Sequence, residues 1–187
     1  MVALDAVLEE AVAVRASARE IASETAIAAI LDRLAAEIST ALATTCPIVL
    51  AVMRGGIFTA TEIARRLDWP YEFDYVHLSR YGSALEGGAV EWIMRPTARV
   101  RGRHVLIVDD ILDRGHTLAE LQVAVEQLEP AEALSAVLIE KDIQPPIDRP
   151  TADFVGLRVE DRYVFGCGMD YRGFWRGLPA LYAVGDD

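Results

Sequence analysis

Three short runs dominated by apolar residues, IVLAVM at 48–53, VLIVDD at 105–110 and ALSAVLIE at 133–140, are separated by stretches of helical period. Apolar runs without polar alternation are buried on both faces, which in a sheet means parallel strands covered by helices. Ile57 to Leu67 returns to helical period after the first run, and Leu118, Leu121, Val125 and Leu128 share one helical face after the second. Strand and helix therefore alternate from 48 to 140. The expected fold is α/β, a mostly parallel central sheet flanked by helices and joined by right-handed crossovers. Ligands of such sheets sit beyond the carboxyl ends of the strands.

Around this frame, residues 5–43 carry Ile27, Ile30, Leu31, Leu34, Ile38 and Leu42 at i, i+3, i+4, i+7 spacing, so one or two helices are expected there. YEFDYVHL at 71–78 reads as a strand, EWIM at 91–94 as a possible strand, and FVGLRV at 154–159 as a final short strand. The Gly-rich YGSALEGGAV at 81–90 and the Pro-rich IQPPIDRP at 143–150 read as loops, the first a mobile one. With 187 residues, one globular domain is expected over 1–187. Its parts are a helical N-terminal segment to about 45, a core to about 142 and a C-terminal segment from about 143.

Acids outnumber bases 29 to 18, a net charge of -11, which is the wrong sign for neutralising nucleic-acid phosphates or anionic lipid. Neither nucleic acid nor membrane is expected as a partner, and no apolar run approaches the roughly 20 residues of a bilayer span. Cys46 and Cys167 have no metal-ligand spacing, and the N-terminus lacks a signal-peptide pattern, so a reducing cytoplasm is expected. His77, His104 and His116 do not cluster with Cys or acids at ligand spacing.

The stretch VLIVDDILDRGHT at 105–117 puts three carboxylates at the mouth of a buried strand and opens a helix. Adjacent buried acids are costly unless something positive or hydrogen-bonding meets them. The backbone N–H groups of Asp113, Arg114, Gly115, His116 and Thr117 would form an anion cradle suited to a phosphate, the His116 side chain being incidental. Asp109 and Asp110 would then project where sugar hydroxyls or a hydrated Mg²⁺ could bind, since Mg²⁺ takes one or two carboxylates plus phosphate oxygens. The plainer alternative makes Asp113 a helix cap, which leaves Asp109 and Asp110 unexplained. Seventeen of the eighteen basic residues are Arg; Lys141 is the only lysine, after a buried strand. A compact ammonium suits that place better than a planar fork, unless Lys141 is an exposed loop residue.

VLIVDDILDRGHTL resembles the phosphoribosyl pyrophosphate signature of the type I phosphoribosyltransferases. MRGG at 53–56, SRYG at 79–82, Lys141 and DRYVFGCGMDYRGFWRGLP at 161–179 follow in the order and spacing of the hypoxanthine-guanine branch. The likeness runs from about residue 20 to the end. It implies the corresponding fold, with a small hood formed by the N- and C-terminal segments, and transfer of a 5-phosphoribosyl group from phosphoribosyl pyrophosphate to a 6-oxopurine with Mg²⁺ as cofactor. It also implies a homo-dimer or homo-tetramer.

Residue by residue, the resemblance makes Asp113 the base that accepts a purine proton, and gives Asp109 and Asp110 the ribose hydroxyls and metal. Arg54, Gly55 and Arg176 would bind pyrophosphate, with a cis peptide at the Arg-Gly position. Arg80 and Tyr81 belong to a loop, Ser79 to Val90, that closes over the reaction. Lys141 would donate to the 6-oxo group, Tyr163 stack on the base and Val164 offer backbone to its edge. Asp170 would reach a second Mg²⁺ through water, or the 2-substituent. Three positions depart from the pattern: Arg114 replaces a Thr or Ser, Arg80 a common Ser, and Arg54 a Lys, Ser or Asn. A xanthine-preferring relative and a non-catalytic nucleotide sensor on the same fold are the rival readings.

Overall fold

The computed structural model describes residues 2–80 and 90–185. In chain order the elements are α1 (Val2–Ser17), β1 (Arg19–Ala22), α2 (Glu24–Leu42), β2 (Ile48–Met53), α3 (Gly56–Ala64), β3 (Glu72–Arg80) and β4 (Val90–Met94). After a 3₁₀ turn at Ala98–Val100 come β5 (His104–Leu112), α4 (His116–Glu126), β6 (Glu132–Asp142), β7 (Phe154–Glu160), β8 (Val164–Phe165) and β9 (Leu181–Ala183).

Six strands form the central sheet in the order β4-β3-β2-β5-β6-β7, parallel except where β4 pairs antiparallel with β3. The three apolar runs are its adjacent interior strands β2, β5 and β6. Along β5 the pleat sends Leu106 and Val108 to a core shared with α2 and α3, and Val105 and Ile107 to a core shared with α4. Both faces are dry, which is why these strands read as unbroken apolar runs. Helix α2 buries Ile27, Leu31, Leu34, Ile38 and Leu42 and starts at Ser23, whose hydroxyl accepts the Ala26 N–H at 3.3 Å. Each such buried Leu or Ile contributes roughly 1.5–3 kcal/mol.

Three expectations need correction. The N-terminal segment is two helices separated by a strand, because Ser17 and Ser23 bracket REIA, which is drawn into pairing with β9. The strand at 154–159 is not the last. β8 and β9, too short to show a period, join β1 in a second sheet of order β1-β9-β8, the hood of N- and C-terminal segments. The first acids of the 105–117 stretch lie within β5, which continues to Leu112, so the turn proper is Asp113–Gly115.

Candidate active site

The site gathers where β2, β5 and β6 end. Gly115, at φ +80°, leads into α4, a conformation glycine adopts without steric cost, and a Cβ on it would stand 2.9 Å from Arg149 Cβ and 3.0 Å from Pro150 Cδ. Asp113 is therefore not the helix cap. The N–H groups of His116, Thr117 and Leu118 have no carbonyl within their own helix to bond, since the Gly115 carbonyl receives the Ala119 N–H at 2.9 Å. An anion at this end would meet them together with the positive end of the helix. Arg114 and His116 are exposed, and Thr117 is half-buried.

Strands β5 and β6 pair with Leu112 opposite Glu140, so the next residue on each, Asp113 and Lys141, stand side by side. Lys141 Nζ lies 3.4 Å from Asp113 Oδ2 and 3.2 Å from Asp161 Oδ1. Its side chain is only 12% exposed, so it is not a loop lysine. Asp113 Oδ1 is buried without a hydrogen-bond partner among the described residues, an acceptor with unused capacity. Arg114, the departure in the turn, faces Asp161 at 3.9 Å.

The turn after β2 comes up against the two acids. A Cβ on Gly55 would lie 1.7 Å from Asp110 Oδ2, and one on Gly56 2.6 Å from the Val108 carbonyl oxygen, so neither position admits a side chain. Arg54 is exposed on this turn. The cis peptide is Met53–Arg54, one bond ahead of the expected Arg-Gly position. The Asp109 carboxylate accepts the Asp110 N–H at 2.9 Å. Burial, and then the charge of Asp110, hold the Asp109 carboxyl well above the ordinary carboxylate range. Burial also raises Asp110, against the hydrogen bond to Asp109 and the nearby charge of Arg176.

From the other side, Gly168 (φ +104°) abuts the RGG turn; a Cβ there would lie 2.2 Å from the Gly55 carbonyl oxygen. Arg176 donates to the Gly168 carbonyl at 2.8 Å and pairs with Asp170. Asp170 also accepts the Gly173 N–H, so both its carboxylate oxygens are taken by protein groups. Among the described residues no three His, Cys, Asp or Glu converge as a metal centre. Asp170 thus does not join Asp109 and Asp110 in one cluster, and the adjacent pair offers two carboxylates to a cation. Two carboxylates fit Mg²⁺ that completes its shell with water and phosphate oxygens.

Tyr163 is 53% exposed, its ring edge-on to Tyr171 with centroids 5.5 Å apart, and its hydroxyl donates to the Asp170 carbonyl at 3.1 Å. Phe165, fully buried, is the core aromatic of this stretch. Val164 is buried in β8 opposite Ala183. Of the expected closing loop, Ser79 and Arg80 end β3 and Val90 begins β4; Tyr81 lies outside the described residues.

Arg149 was not foreseen. Its guanidinium donates to the Leu112 carbonyl at 3.1 Å, the Asp113 carbonyl and the Lys141 carbonyl at 2.7 Å, and pairs with Glu140 at 3.3 Å. It ties the ends of β5 and β6 beneath the Asp113–Lys141 pair. Asp161 was missed as well.

The model of the phosphoribosyl transferase domain matches residues 17–172. The chain belongs to the phosphoribosyl transferase family. Within that family it is 31% identical over 151 residues to the hypoxanthine-guanine-xanthine phosphoribosyltransferase of Tritrichomonas foetus, covering 81% of this chain and 82% of that one. It is likewise 31% identical over 167 residues to the hypoxanthine-guanine phosphoribosyltransferase of Bacillus subtilis strain 168, covering 85% and 88%. A crystal structure of a hypoxanthine-guanine phosphoribosyltransferase from Bacillus anthracis superimposes with a TM-score of 0.82 at 26% identity, covering 89% of this chain and 98% of that one. The family fold is the α/β sheet with its hood described above. No helix of the described residues is long and apolar enough to cross a membrane.

Proposed function

We propose that the protein transfers the 5-phosphoribosyl group from phosphoribosyl pyrophosphate to N9 of hypoxanthine or guanine, giving IMP or GMP and pyrophosphate. The observation that carries this reading is the Asp113–Lys141 pair, a carboxylate and an ammonium 3.4 Å apart beside a helix N-terminus. Lys141 offers hydrogen-bond donors to a 6-oxo group, and the unpartnered Asp113 oxygen can accept a proton from the base. Tyr163 presents an exposed ring for stacking. The names of the relatives support the same class of base.

The 5′-phosphate is assigned to the N–H groups at the start of α4, with Arg114 beside them. Pyrophosphate is assigned to the RGG turn and Arg176. Mg²⁺, held by Asp109 or Asp110 with substrate oxygens, would neutralise charge on the leaving pyrophosphate. As the C1–O bond breaks, positive charge develops on the ribosyl ring, which a carboxylate beside it would tolerate. Assembly into two or four copies is supported by Phe73 and Tyr75 of β3 and Ile93 of β4, exposed apolar side chains on one face of the antiparallel edge.

The test is product analysis. Phosphorus NMR of protein mixed with phosphoribosyl pyrophosphate, Mg²⁺ and hypoxanthine is expected to show pyrophosphate and a nucleoside monophosphate appearing in equal amounts. Pyrophosphate released at the same rate without the base would contradict the transfer.

A further inference from the structure

Helix α1, all but its last residue ahead of the stretch matched by the family model, has no role in the site assigned so far. It is nevertheless bound to the C-terminal turn that carries Asp170 and Arg176. One Glu10 carboxylate oxygen accepts the Tyr171 hydroxyl at 2.6 Å, and the other pairs with Arg172. The Ala11 carbonyl accepts the Trp175 indole N–H at 2.9 Å, and Ala11 itself is fully buried. Arg15 lies over the Tyr182 ring, 3.9 Å from its centroid, which fastens the end of α1 to β9.

The turn needs holding. Arg172 (φ +48°), Gly173 (φ +91°) and Trp175 (φ +71°) all occupy the left-handed region. Bulky side chains rarely sit there, and such backbone persists only where the surroundings over-determine it. Between Asp170 and Arg176 the two non-glycine residues so placed are both held to α1 by their side chains. Tyr171, third in the grip, meets Tyr163 edge to face.

We propose that α1 is a positioning element for purine recognition, with Glu10 as its positioning residue. By fixing Tyr171 and Arg172 it sets the Tyr163 ring against which the base stacks. Arg176 has its own anchor at the Gly168 carbonyl, so the pyrophosphate side depends on α1 less than the Tyr163 ring does. This inference rests on the purine reading given above.

The test uses the full chain with Glu10→Ala, Glu10→Gln and Tyr171→Phe. Glu10→Ala is expected to raise KM for the purine about fivefold or more while KM for phosphoribosyl pyrophosphate stays within about twofold, since uniform binding of one substrate alone is lost. Glu10→Gln keeps an acceptor for the Tyr171 hydroxyl and is expected to recover part of the loss. An unchanged purine KM, or equal rises for both substrates, would overturn the proposal. Hydrogen exchange of the 163–176 peptide reads the brace without turnover: it is expected to quicken in Glu10→Ala while peptides of the central sheet do not change. Exchange unchanged there defeats the proposal. Quickened exchange in a protein that turns over no purine supports the brace and counts against the purine function instead.

Discussion

Lys141 Nζ stands 3.4 Å from Asp113 Oδ2 because parallel strands β5 and β6 run in register, Leu112 opposite Glu140. The pairing is a product of sheet register, so each residue depends on the other's strand. Asp113→Asn keeps the shape and removes the proton acceptor. Turnover is expected to fall by about 10²–10⁴-fold, the range for loss of a general base, with melting temperature little changed. Steady-state kinetics and a thermal melt check this; full turnover in the variant would remove Asp113 from the chemistry.

Asp109 gives a pH-dependent prediction opposite in sign to that of an ordinary salt-bridged carboxylate. Its pKa is raised on folding, by burial and by the charge of Asp110. Between the unfolded value and the raised one the folded state holds more protons, so stability falls as pH rises through that window. Asp109→Asn retains a carbonyl oxygen for the Asp110 N–H and removes the titration. It is expected to melt higher than the parent at pH 8, with the difference shrinking toward pH 4. Parallel melting curves across pH decide it.

Arg149 holds two strand ends with one guanidinium, and both it and Glu140 are 13% exposed. Arg149→Met strips three carbonyls of a donor and leaves Glu140 with the exposed Arg158. Because Arg158 still meets Glu140, the expected cost is that of leaving buried carbonyls without a donor, about 1–3 kcal/mol. Urea unfolding monitored by circular dichroism measures it.

Both cysteines are free: Cys46 is exposed and Cys167 buried. Burial pushes the Cys167 thiol up to about 12, so at pH 8 it carries almost no thiolate. A thiol-specific chromophoric reagent is expected to titrate one cysteine in native protein and two in denaturant. Two fast equivalents in the native state would contradict the packing of Cys167 behind the hood.

How far the sequence could be read depended on whether a signal was local. The Asp113–Thr117 turn and the glycines of RGG declare themselves through residue type, because only certain residues fit an anion cradle or a close backbone approach. Lys141 stood out as the only lysine. Arg149 and Asp161 gave no such sign, since their partners are carbonyls and charges brought near only by the sheet. Strands β8 and β9, of two and three residues, are too short for alternation to register. In α1 the pattern misdirects: Leu4, Leu8 and Val12 are exposed, while small Ala11 is fully buried against the turn it supports.

Steady-state turnover followed by ultraviolet absorbance, with phosphoribosyl pyrophosphate and each of hypoxanthine, guanine, xanthine and adenine in turn, tests the central claim most directly. Mg²⁺-dependent turnover of hypoxanthine or guanine, with adenine inert, is the expected result. Turnover of adenine, or none with any base despite nucleotide binding by calorimetry, would contradict the roles given to Lys141 and Asp113.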